Sequence, residues 1–152
     1  MSFDIIPATL DHIETIVEHR RAMFFDMGHR DEAVLDRMSA AFRPWVAAKI
    51  EAGEYRAWFA VVDGVIAGGA GLWLMDWLPH LIATGAPRGN IVNVYTRPPY
   101  RRRGIARGLV QKALSWCRES GVTYVILHAS PEGRPVYQSM GFRETNEMRI
   151  LL

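Results

Sequence analysis

A chain of 152 residues, 49% apolar and 22% charged, has the make-up of one globular domain, residues 1–152. A lone cysteine, Cys117, excludes an intrachain disulfide and a zinc site built on several cysteines; the acids and proline of the first twelve residues are not those of a signal peptide, and the apolar stretch 64–75 is too short and glycine-rich to span a bilayer, so a soluble cytoplasmic protein with no membrane partner is expected. The net charge of +2 hides a polarised chain: residues 1–76 carry twelve Asp/Glu and seven Lys/Arg (net −5), residues 77–152 carry four and eleven (net +7), and such asymmetry points to an anionic ligand for the second half.

Residues 2–6 are a short apolar run stopped by Pro7, which predicts a first strand. Thr9 is placed to cap a helix whose first turn carries Asp11 and Glu14, where negative charge suits the positive end of the helix dipole. Ile13, Ile16, Val17 and Phe24 keep a helical period, and Gly28 ends it. Asp31 starts a second helix with Val34, Met38, Ala41, Phe42, Trp45 and Ile50 on its buried side. Pro44 is expected to kink or divide that helix, because it lacks an N–H and clashes with the preceding turn; Gly53 closes it.

Residues 55–62 and 65–74 are β-prone runs joined by Asp63-Gly64, a pair suited to a tight two-residue turn. The glycines at 64, 68, 69 and 71 lie in this hairpin and are read as structural. Residues 76–90 hold two prolines and two glycines and read as a loop; 91–96 predict another strand, stopped by Pro98-Pro99. Residues 104–119 form an amphipathic pattern with Ala106, Val110, Ala113, Leu114 and Cys117 on one face, ended by Gly121. A strand over 123–129, a short helix over 132–140 and a last strand over 142–152 complete the order βααβββαβαβ, a mixed α/β sheet of about six strands.

Chemistry concentrates in residues 93–110, NVYTRPPYRRRGIARGLV, where a strand runs into an Arg- and Gly-rich turn that opens a helix. The first N–H groups of a helix have no intrahelical partner and sit at the positive end of its dipole, so together they bind phosphate. Gly104 permits close approach of a ligand to the backbone, and five arginines (Arg97, Arg101, Arg102, Arg103 and Arg107) can fork onto phosphate oxygens. Neither of the two common nucleotide fingerprints, G-x-x-x-x-G-K-[ST] and G-x-G-x-x-G before a helix, is present.

The sequence here resembles the GNAT superfamily of acyl-CoA-dependent N-acyltransferases. Arg101-Arg-Arg-Gly104-Ile-Ala106 is similar to that family's [RQ]-x-x-G-x-[GA] pyrophosphate loop, and Thr96-Arg-Pro98-Pro-Tyr-Arg101 to its V-x-P-x-x-R lead-in, with Thr in place of Val. Downstream, Tyr137 stands four residues before Gly141-Phe142, as in the family's second segment. The resemblance implies an α/β (α+β) fold with a mixed, mostly antiparallel sheet of about six to seven strands flanked by four helices. It implies an N-acetyltransferase that takes acetyl-CoA as cosubstrate, with no metal, and passes the acetyl group to a small-molecule or peptide amine in a ternary complex; a homodimer is common in the family.

Residue by residue, the resemblance implies that the backbone of Val94, Tyr95 and Thr96 pairs with the pantetheine arm, an N–H there, that of Val94, facing the thioester oxygen. The backbone of Arg102, Arg103, Gly104, Ile105, Ala106 and Arg107, following Arg101, would wrap the pyrophosphate. Tyr137 would protonate the departing thiolate, a fitting task for a phenol of pKa about 10. Ser130 stands, as a shorter cofactor-binding group, where many relatives carry an Asn, and where some carry a glutamate base this chain has Val125. No base is therefore identified by match; Asp26, Glu32, Asp76, His128, Glu147 and a water path stay open, as does the choice between core and acceptor-pocket roles for Trp45, Trp58, Trp73 and Trp77. Two other readings remain: a non-catalytic acyl-CoA-binding module of the same fold, and a nucleic-acid binder using the basic turn 97–107. No stacking module accompanies that turn, which favours the cofactor and no nucleic-acid partner.

Overall fold

The computed structural model describes residues 2–152. Its elements in chain order are β1 (Asp4–Pro7), a 3-10 turn (Leu10–His12), α1 (Ile13–Asp26), α2 (Glu32–Glu51), β2 (Tyr55–Val62), β3 (Val65–Met75), β4 (Arg88–Thr96), a second 3-10 turn (Pro98–Tyr100), α3 (Ile105–Glu119), β5 (Val125–Leu127) and α4 (Arg134–Ser139). The five strands lie side by side in sequence order, antiparallel except for β4 and β5, which run parallel.

Alternation along β2 builds two cores, one on each face of the sheet. Trp58, Ala60 and Val62 face α3, whose Ile105, Leu109, Val110, Ala113 and Cys117 are all buried. Full burial of Leu109 and Val110 contributes roughly 1.5–3 kcal/mol each. Tyr55, Ala57 and Phe59 face the other way, against Ile16 of α1 and Val46 of α2. The hairpin turn takes the form its residues allow, with Asp63 at φ 49° and Gly64 at φ 77°.

Several expectations need correction. Thr9 caps the 3-10 turn, in a capping box with His12, rather than α1 itself. Pro44 does not divide α2, because Leu35 before it and Val46 after it are both anchored in the core. β4 begins at Arg88, three residues earlier than its apolar run, since Arg88, Gly89 and Asn90 pair with Met75, Leu74 and Trp73 of β3. The last strand expected over 142–152 is not formed: these residues pair with no strand, so the sheet has five strands among the described residues rather than six or seven.

Candidate active site

β4 is bent at its centre. Gly69 of β3 faces Tyr95 and Gly71 faces Val92, so Asn93 and Val94 together oppose the single residue Ala70. This bulge puts Asn93 in the left-handed region at φ 55°. On its other side β4 pairs with β5 only at Gly89, Asn90 and Ile91. Past Ile91 the strands part, and the backbone edge of β4 through Val94, Tyr95 and Thr96 has no strand beside it among the described residues. An extended ligand fits such an edge as an added strand would. The hydroxyl of Thr96 is buried there with no hydrogen-bond partner.

From Thr96 the chain makes the 3-10 turn and then a left-handed step at Arg102 (φ 63°) and another at Gly104 (φ 78°) before α3 begins. A Cβ on Gly104 would meet nothing within 4 Å, so the position requires glycine for its dihedral angle while the space beside it is open. The N–H groups of Ile105, Ala106 and Arg107 in the first turn of α3 have no intrahelical acceptor. Free backbone N–H groups at a helix start of this kind suit an anion.

The arginine side chains do different work from their backbones. Arg101 donates from Nε to the Thr96 carbonyl at 2.9 Å and from Nη2 to Asp26 at 2.5 Å, tying the end of α1 to the end of β4. Its guanidinium also lies 5.8 Å from the Tyr95 ring. Arg103 sits at 5.8 Å over Tyr100. Arg107 donates to the Ser139 hydroxyl, which joins the start of α3 to α4.

α4 carries Tyr137, half-buried with Phe142 edge-on at 6.0 Å. Burial raises the Tyr137 phenol above its ordinary pKa, so it stays protonated through the neutral range. Gly133 makes room for its ring, since a Cβ there would lie 2.8 Å from Cε2. Ser130 accepts the Gly133 N–H at 3.1 Å and so holds the turn that starts α4. Cys117 is buried and its thiol is pushed up to about 11, which leaves it packing rather than nucleophilic.

The candidate bases are scattered. Asp26 is engaged by Arg101, and Glu32 by Arg21 at 3.2 Å. Asp76 follows β3 at the end of the sheet remote from Thr96. His128 and Glu147 approach to 3.9 Å on the exposed outer side of β5. None of these makes a hydrogen bond or ion pair with Asn93 or Val94 among the described residues; Asp26 comes nearest, through the Arg101 that holds the Thr96 carbonyl.

A buried polar chain does reach the bulge. Arg20 of α1 donates to the Asn93 side-chain oxygen at 2.7 Å, and the Asn93 amide donates to the Tyr55 hydroxyl at 2.9 Å. Arg20 lies between the rings of Phe24 and Phe42, at 4.9 and 5.0 Å. Burial pushes the Tyr55 phenol up to about 12 despite the Asn93 hydrogen bond and the Arg20 charge. His19 is buried against Phe59 and Tyr95, and desolvation, helped by the Arg97 charge, brings its imidazole down to about 4. One signal in the sequence marks this network: the helical period of Ile13, Ile16, Val17 and Phe24 places Arg20 on the same apolar stripe.

Among the described residues no three His, Cys, Asp or Glu gather to hold a metal, and no helix is long and apolar enough to cross a membrane.

Comparison with known proteins gives concordant kinship. The model of the acetyltransferase (GNAT) family matches residues 13–142. A GCN5-related N-acetyltransferase from Ralstonia eutropha superimposes with TM-score 0.92 at 34% identity, covering 99% of both chains. A predicted acetyltransferase from Clostridium acetobutylicum, solved with acetyl-CoA, gives 0.89 at 26% identity over 99% of this chain and 96% of that one. The glucosamine 6-phosphate N-acetyltransferase of Trypanosoma brucei brucei is 32% identical over 88 residues, which span 57% of this chain and 58% of that protein.

Proposed function

The chain belongs to the acetyltransferase (GNAT) family, and on that premise we propose that one domain binds acetyl-CoA and an amine together and transfers the acetyl group directly between them. The observation that carries this reading is the parting of β4 from β5 after Ile91, directly ahead of the Arg102–Gly104 cradle. Pantetheine enters the split and pairs with Val94, Tyr95 and Thr96. The pyrophosphate rests on backbone N–H groups from Arg102 to Arg107 at the start of α3. Because the Arg101 side chain is held by Thr96 and Asp26, it orients this turn while the backbone supplies the contacts.

The amine nitrogen attacks the thioester carbonyl carbon, and negative charge on the carbonyl oxygen is met by the Val94 N–H at the bulge. The C–S bond breaks and Tyr137 gives its proton to the leaving sulfur. The amide nitrogen releases its proton to solvent, from which Tyr137 is reprotonated; no side chain is assigned as base. Burial of Tyr137 supports its role, since a donor must remain protonated at working pH.

The first acceptors to examine are amino sugars, the class in the name of the trypanosomal relative, followed by other small-molecule and peptide amines. Release of thiol from acetyl-CoA across such a panel tests the proposal. Turnover with an amine, lost in Tyr137→Phe while acetyl-CoA binding persists, is the expected result. Full turnover in Tyr137→Phe would remove Tyr137 from the chemistry, and acetyl-CoA binding without turnover on any amine would overturn direct transfer.

A further inference from the structure

Neighbouring arginines on the two N-terminal helices are partnered very differently. Arg21 of α1 turns Nε and Nη2 onto Asp36 and reaches Glu32 as well. Arg43 of α2 grips both oxygens of Glu14 through the same two nitrogens. Arg20 has no carboxylate in ion-pair contact among the described residues. Its Nη1 donates to the Asn93 side-chain oxygen, its Nε is buried with no hydrogen-bond partner, and its Nη2 has none among the described residues.

A guanidinium drawn out of water is costly unless an anion or a set of acceptors meets it. Arg20 is half-buried, and burial lowers its pKa with only the Tyr55 phenol acting against that shift. Phe24 and Phe42 flank it; their cation–π contacts offset part of the cost and hold the planar fork in one orientation. Both rings are themselves only partly buried, so they do not seal the charge from solvent. A fixed, partly desolvated cation with donors to spare is a preformed seat for an oxyanion.

Alternation along β4 decides which face of the sheet this seat serves. Ile91 packs on the α3 side and Val92 on the α1–α2 side; the bulge turns the next side chain, Asn93, to the α1–α2 side as well, and Val94 returns to the α3 side. Arg88 and Asn90 share the Val92 face, and the Arg88 Nε and the Asn90 side-chain oxygen are likewise buried without a partner. β4 contributes no acid to this face. An amine attacking a carbonyl held at the Val94 N–H has its own substituents one residue from Asn93, and so beside Arg20.

We propose that Arg20 recognises the acceptor: its guanidinium binds a carboxylate or phosphate that the amine carries a few bonds from its nitrogen. The assignment rests on the acetyl-transfer reading, which puts the attacked carbonyl at Val94. Both anions present charged oxygens that suit a planar donor fork. Amino acids and phosphorylated amino sugars carry such a group. A plain polyamine does not, and it meets like charge at Arg20 and Arg88.

Calorimetric titration into the full chain saturated with CoA tests it, using matched pairs: glucosamine 6-phosphate against glucosamine, and amino acids against their amides, with spermidine beside them. For at least one pair the anionic member is expected to bind about tenfold or more tightly than its neutral partner. The phosphate and carboxylate pairs show which anion is recognised. Arg20→Gln should bring that ratio close to one while acetyl-CoA affinity stays that of the parent, and Arg20→Lys should restore part of it. A merely structural Arg20 would lower kcat for both members alike through Asn93 and leave the ratio standing. Should Arg20→Gln not fold, Arg20→Lys in its place is expected to lower the ratio severalfold. No preference in the parent anywhere in the panel, spermidine binding more tightly than every anionic amine, or a ratio undiminished in the Arg20 variants overturns the assignment. Preference in binding without turnover of any amine overturns direct transfer and leaves Arg20 as an anion site; turnover without preference does the reverse.

Discussion

The side-chain amide of Asn93 donates to the hydroxyl of Tyr55 at 2.9 Å, a buried bond that links the bulge of β4 to the first residue of β2. Arg20 completes the clamp from α1 at 2.7 Å. Asn93 thus holds a left-handed conformation (φ 55°) that costs a non-glycine residue energy, and its two hydrogen bonds offset that cost. The clamp sets where the neighbouring Val94 N–H points. Asn93→Leu strands the Tyr55 hydroxyl and the Arg20 guanidinium, at about 1–3 kcal/mol for each. Asn93→Gly loses the same two hydrogen bonds but adopts the left-handed conformation without strain and leaves room for water beside the stranded groups. Both variants are expected to lower kcat by more than they raise KM for acetyl-CoA, Gly with the milder loss of thermal stability. Equal kcat in Asn93→Gly and the parent would show that the clamp serves folding alone.

How much of this was legible follows the range of each interaction. The Asp63-Gly64 turn is local, because its residues readily take the dihedral angles they adopt, and Gly104 marks the cradle in the same way, although Arg102 at φ 63° does not favour its conformation. The bulge is not local. Asn93 is left-handed because Arg20 and Tyr55, 73 and 38 residues away, hold its side chain, and no window of sequence contains all three. Arg20 on an apolar helical stripe was the available sign. Residues 142–152 show the complementary gap, since a strand pattern declares a face but not which edge will receive it.

Tyr137 is expected to act in the chemical step. Tyr137→Phe keeps the ring that packs on Phe142 and removes only the hydroxyl. A positioned acid contributes about a hundredfold or more, so kcat should fall by at least that factor with little change in acetyl-CoA affinity. Because burial raises the phenol's pKa, the parent rate should hold well into alkaline pH, and its fall there should be absent from the variant. A pH–rate profile for both proteins checks this.

His19 makes stability depend on acid. Burial, with the Arg97 charge second, holds its folded-state pKa at about 4, against 6.5 when exposed. Between these values the unfolded chain binds a proton that the folded chain refuses, so stability is full above pH 6.5 and declines as pH falls towards 4. The loss attributable to this one side chain is on the order of 3 kcal/mol. Urea unfolding of the parent and of His19→Leu at pH 7 and pH 4.5 should show the variant losing less stability with acid. Parallel losses would mean that His19 is protonated in the folded protein.

Two glycines near the site should fail for different reasons when given a methyl group. A Cβ on Gly71 would lie 2.0 Å from the Tyr55 hydroxyl oxygen, so Gly71→Ala must displace Tyr55 and with it the Asn93 clamp. Overpacking of this kind costs roughly 1–3 kcal/mol, seen as a lower Tm and a lower kcat. Gly104→Ala meets nothing within 4 Å but must hold φ 78°, at about 1–2 kcal/mol. Relief of that strain unwinds the cradle, so acetyl-CoA affinity should drop more than Tm does. Calorimetric titration with acetyl-CoA beside thermal melts separates the two effects. The assignment of Gly104 to the phosphate cradle fails if Gly104→Ala binds acetyl-CoA as tightly as the parent chain.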